Sequence, residues 1–110
     1  MYMVVEKRGN DLKELERAIE DEIKYLMNTT TEEYIKNVTE ISRNQSFIDG
    51  KWVTSNYELI VAYGGPGICI STDGSLICAK DFNYIEVRII NVKVLKKLKE
   101  IESYLETLGE

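Results

Sequence analysis

The sequence predicts an α+β domain in the order ααββββα: a four-stranded antiparallel meander with helices packed on one face. Two observations carry this. Tyr57 to Ile90 reads as four short runs rich in Val, Ile and Tyr, cut by Gly64-Gly65-Pro66-Gly67, Asp73-Gly74 and Asp81-Phe82-Asn83. Such runs, so punctuated, describe antiparallel strands joined in sequence order. On either side of them, apolar residues recur at three- and four-residue spacing, the period of a half-buried helix. At 110 residues, 44% apolar, the chain is one domain, 1–110, with enough apolar surface for a core.

The first helix is expected to be capped by Asn10 and Asp11 and to run to about Met27. Leu12, Leu15, Ile19, Ile23 and Leu26 form its apolar stripe, and Glu14, Glu16, Glu20, Asp21 and Glu22 its wet face. Thr30 with Glu33 fits a capping box. It opens a second helix that would bury Tyr34, Ile35, Val38 and Ile41. Residues 43–56 read as a loop with Trp52 closing the core edge. The competing reading is a hairpin about Asp49-Gly50.

In the last strand Ile85, Val87 and Ile89 alternate with Tyr84, Glu86 and Arg88, so the first three face the helices and the others face water. Asn91 caps a final helix over about Val92 to Leu108. Its Val94, Leu98, Ile101, Leu105 and Leu108 follow a four-three spacing that suits core packing or a dimer seam.

Taking Asp73-Gly74 as a two-residue hairpin loop pairs Thr72 with Ser75 and sets Cys69 opposite Cys78 in a non-hydrogen-bonded pair. Such pairs bring Cα atoms to about 4.5 Å, near the short end of disulfide geometry. Three readings follow: two buried thiols, a structural disulfide, or a redox or metal site. Two thiolates without a histidine make a poor metal set. A mid-strand cysteine lacks the helix N-terminus that usually activates a redox thiol.

The Gly64-Gly65-Pro66-Gly67 turn combines backbone freedom with one fixed φ. It is not a phosphate loop, because no Gly-Lys-Ser/Thr follows and a strand comes next. It reads as a wide hairpin connection or as a loop whose amides approach an anion or a partner chain. The run Glu58 to Pro66, followed by Ile68 and Ile70, resembles a strand–Gly-Gly-Pro–strand pattern in small uncharacterised proteins of phages, plasmids and archaeal viruses. The following strand lacks the tryptophan that such proteins often carry there. The resemblance covers about a dozen residues and carries no catalytic residues. It implies a small interaction protein of a mobile element, such as an inhibitor of a host protein.

The net charge is −5, and residues 1–40 hold ten acids against six bases. An acidic surface disfavours direct nucleic-acid binding and suits a partner protein with a basic surface. The contact residues expected for it are Glu20, Asp21, Glu22, Glu32 and Glu33. With no histidine in the chain, histidine-based acid–base and triad chemistry has no carrier, so the expected protein is not an enzyme. No catalytic residue, metal ligand or cofactor is assigned.

No apolar run is long enough to span a bilayer, and Met1 to Val5 is too short for a signal-peptide core. The expected location is the cytoplasm. Two alternatives to a partner-binding protein remain. One is a small-ligand or thiol-redox protein using Gly64–Gly67 and the cysteine pair. The other is a structural homo-oligomer, with a homodimer formed through an edge strand or the final helix.

Overall fold

A computed structural model describes residues 1–109. The elements run β1 (Tyr2–Arg8), α1 (Lys13–Met27), α2 (Thr31–Lys36), β2 (Glu40–Ile48), β3 (Lys51–Ala62), β4 (Gly67–Ser71), β5 (Ser75–Lys80), β6 (Asn83–Ile89) and α3 (Val92–Leu108). The class is α+β, but the sheet has six antiparallel strands in the order β1-β6-β5-β4-β3-β2, not four. The two additional strands lie outside the expected meander. β1 pairs with β6 at one edge, Tyr2 opposite Ile89, and β2 forms the other edge.

Residues 43–56, expected as a loop, belong to a long hairpin. Its two-residue turn is Asp49-Gly50, both at positive φ (51° and 79°), with Ile48 opposite Lys51. Positive φ at both central residues matches the right-handed twist of the flanking strands. β3 reaches β4 only from Glu58 to Ala62. The earlier part of β3 therefore pairs with β2 alone, and the two strands project as a ribbon. Trp52 does not close the core; it is 65% exposed near the ribbon tip.

The core lies between one sheet face and the helices. Leu15, Ile19, Ile23 and Leu26 of α1, and Val94, Leu98, Ile101 and Leu105 of α3, pack with Leu59, Ile70, Leu76, Ile85, Val87 and Ile89. The alternation expected for β6 is present: Ile85, Val87 and Ile89 are buried, Arg88 is exposed and Glu86 half-buried. Leu108 ends the α3 stripe 61% exposed. Asn91 caps α3 by accepting from the amides of Lys93 and Val94. Thr30 accepts from the Glu33 amide at the start of α2. α2 stops at Lys36, short of the expected Ile41, which sits in β2 and is 38% exposed.

The β4–β5 hairpin corrects the cysteine register. Ile70 lies opposite Leu76, Cys69 opposite Ile77 and Ile68 opposite Cys78. The loop has three residues, Thr72-Asp73-Gly74, with Gly74 at φ +104° and its amide bonded to the Ser71 carbonyl. Thr72 leaves the ladder because other groups hold it. Its hydroxyl accepts from the Tyr57 amide and donates to Glu102 of α3, while its own amide donates to the Tyr57 carbonyl. A shift of one residue moves a side chain to the other face. Cys78 is buried in the core, Cys69 faces the opposite side of the sheet, and both are free thiols.

Candidate interaction surface

All three helices cover the same sheet face, leaving the other without a covering layer. Its residues come from alternate positions: Asn44 and Ser42 of β2, Asn56, Glu58 and Ile60 of β3, Cys69 and Ser71 of β4, Ser75, Ile77 and Ala79 of β5, and Glu86 and Arg88 of β6. The strand registers place these side by side.

One end of the face is polar and ordered by side-chain bonds. Asn44 Nδ2 donates to Asn56 Oδ1 at 3.1 Å and to Glu58 Oε1 at 3.3 Å. Asn56 Nδ2 passes the chain on to Ser71 Oγ. Asp73 and Arg88 lie 3.9 Å apart at the margin. Asn56, Glu58, Cys69, Ser75, Ile77 and Glu86 line a depression of about 240 Å³. The Glu58 and Glu86 carboxylates rim it, and among the described residues neither has an ion-pair partner. Cys69 and Ile77 form its floor, which continues into an apolar hollow of about 210 Å³ between Ile60 and Ala79.

Cys69 is not set up as a nucleophile. Burial, and then the Glu58 charge, push its thiol above the usual value. Cys78, in the core, is pushed up to about 11, chiefly by burial. Reactive cysteines need the reverse, a stabilised thiolate. The two side chains cannot act as a pair, because the sheet lies between them. Among the described residues no group of three Cys, Asp or Glu side chains is placed to hold a metal ion. Among the described residues no helix is long and apolar enough to cross a membrane.

The expected acidic contact residues divide. Glu20, Asp21, Glu32 and Glu33 are exposed on α1 and α2. Glu32 lies 3.9 Å from Lys36. Glu22 is turned inward: it is 9% exposed and accepts a 2.8 Å bond from the Tyr34 hydroxyl. Burial raises its pKa, and the Tyr34 bond offsets part of the rise. Glu22 therefore joins α1 to α2 and presents nothing to a partner.

The Gly64–Gly67 turn is an exposed β3–β4 connection, with a cis bond before Pro66 and Gly65 at φ +78°. With Lys80 and Asp81 it borders a shallow hollow of about 380 Å³. The Lys80 ammonium is engaged by Glu14 at 2.8 Å and leaves that hollow without a free cation from this residue.

The ribbon tip is the feature sequence reasoning placed wrongly. Phe47 and Trp52 lie opposite each other and meet edge to face, ring centres 5.3 Å apart, with Phe47 62% exposed. The Asp49-Gly50 turn was the signal that places them there. No known protein family, characterised protein or solved structure matches the chain.

Proposed function

We propose that this chain is a non-enzymatic interaction protein whose uncovered sheet face receives a basic, partly apolar segment of a partner protein. The observation that carries the reading is the pair of carboxylates, Glu58 and Glu86, flanking an apolar floor and lacking a cationic partner among the described residues. A Lys or Arg side chain laid across Cys69 and Ile77 would rest its methylene stem on the floor and reach a carboxylate with its head. The net charge of −5, with Glu20, Asp21, Glu32 and Glu33 on the helices, adds a negative field that speeds encounter with a basic surface. Inhibition of a host protein by a mobile-element product is a role such a surface would serve.

The test is a titration with a ten-residue peptide alternating Arg and Leu, and with its Glu–Leu counterpart, followed by backbone amide shifts. The Arg peptide should shift the amides around Glu58, Cys69, Ile77 and Glu86, and the Glu58→Gln/Glu86→Gln variant should lose the effect. Shifts confined to α1 and α2, or equal shifts from both peptides, would remove the sheet face from the reading.

A further inference from the structure

Beyond that reading, we propose that two copies of the chain pair through their β2 edges, antiparallel about Asn44, joining two six-stranded sheets into one. Exposed sheet edges are normally blocked by charges, proline or bulges. β1, at the far edge, has such protection: a register break at Val5 and the consecutive charges Glu6, Lys7 and Arg8. β2 lacks it. It runs nine residues from Glu40 to Ile48 without a proline, and its register break against β3 arises from the additional residue Ser55 on β3, so β2 itself stays regular. The single charge between Ile41 and Ile48 is Arg43. Its guanidinium is turned onto Glu106 of α3 at 3.0 Å and onto Thr54, away from the edge.

The register follows from hydrogen bonding and charge. The Asn44 carbonyl accepts from the Ser55 hydroxyl on β3, so it points inward to the sheet. Backbone groups alternate in direction along a strand. The N–H and C=O groups of Ile41, Arg43, Gln45 and Phe47 therefore point out to the edge. Pairing centred on Asn44 overlaps the whole strand, Glu40 opposite Ile48 of the partner subunit. It matches outward-pointing residues with each other: Ile41 with Phe47 of the partner subunit, and Arg43 with Gln45 of the partner subunit. Centring on Arg43 would set two guanidinium side chains face to face. Centring on Gln45 would run Ile41 into the partner's turn. The Asn44 register alone brings an exposed apolar residue, Ile41, against the exposed Phe47, with its Trp52 neighbour, twice over. It relates the subunits by an axis normal to the sheet, so both uncovered faces look the same way.

Charge placed at Ser42 and Ser46 tests both the pairing and its register. Both residues are exposed, and this register sets Ser42 opposite Ser46 of the partner subunit. Sedimentation equilibrium should find the wild-type chain dimeric at tens of micromolar. The Ser42→Lys/Ser46→Lys variant places like charges opposite each other at two symmetric positions and should weaken the dimer by about tenfold or more. The Ser42→Lys/Ser46→Glu variant places opposite charges there and should restore it. The two variants share the Ser42→Lys change beside Glu58, so they differ only at the pairing position, and circular dichroism checks that both fold. A wild-type chain monomeric at several hundred micromolar overturns the proposal, as does a dimer that both variants disturb equally.

Discussion

Removing the Tyr34 hydroxyl tests how the two short-range helices are joined. The Tyr34 side chain is 1% exposed and its hydroxyl donates to Glu22 Oε1 at 2.8 Å. A hydrogen bond to a charged group contributes about 1.5–3 kcal/mol net, and its loss leaves a buried carboxylate without that donor. Tyr34→Phe should therefore lower the unfolding midpoint by roughly 6–24 °C at pH 7, taking about 4–8 °C per kcal/mol for a domain near this size.

Glu22→Gln keeps an acceptor for the hydroxyl but removes the charge whose burial is costly. It should match or exceed wild-type stability at pH 7. In that background Tyr34→Phe should cost only about 0.5–1.5 kcal/mol, the range of a neutral bond. The pH dependence separates this account from simple packing loss. The folded pKa of Glu22 lies above its usual value of 4.5, so the folded chain holds the proton more tightly than the unfolded chain. The stability this adds is fully present below 4.5 and is lost as pH rises through the folded value. Urea unfolding of wild type, both single variants and the double variant between pH 4 and 8 reads all of this. A Tyr34→Phe cost under about 0.5 kcal/mol at pH 7 would refute the reasoning. So would a Glu22→Gln variant that keeps the wild-type slope across that window.

Thiol labelling of the folded chain should modify Cys69 slowly and Cys78 only on unfolding, and oxidant should create no intramolecular bridge; simultaneous loss of both thiols would contradict the opposite-face register. Gly74→Ala should destabilise by about 1–3 kcal/mol in thermal unfolding, because φ is +104° and the added methyl would lie 2.9 Å from Leu95 Cδ2. Reversal of Glu20 and Asp21 to Lys should slow association with a basic partner and flatten its salt dependence while leaving the fold intact. Stopped-flow rates across ionic strength decide that point, and equal slopes would exclude the helical layer from steering.

The legible part of the fold was the part with two different faces. β6 alternates cleanly because core lies on one side and water on the other, and α3 announces itself through Asn91 and a continuous stripe. β1 and the ribbon were hidden for the opposite reason. Met3, Val4 and Val5 are all exposed, and Arg43 to Ser46 carry no apolar alternation, since an edge strand wet on both sides has no period to reveal. The cysteine register was lost to Thr72, whose partners Tyr57 and Glu102 are 15 and 30 residues away. In the candidate surface, Glu86 was placed facing away from the helices by its strand period. Glu58 and Cys69 became its neighbours only through pairings across three strands. Glu22 looked like part of the wet helix face because its partner Tyr34 is 12 residues distant.

The pairing of β1 with β6 has a consequence for the order of assembly. Strands β2 to β6 each find their neighbour within a hairpin, so the meander can form from local contacts. Tyr2 must wait for Ile89, 87 positions later (89 − 2). At about 5–20 residues per second, synthesis separates the two by roughly 4–17 s. During that interval Met3, Val4 and Val5 of β1 have no partner strand, because β6 is the last strand made. Closure of this pair over nearly the whole chain carries the largest loop entropy in the fold. The first strand made is thus the last one seated, and it completes the sheet against a meander that already exists.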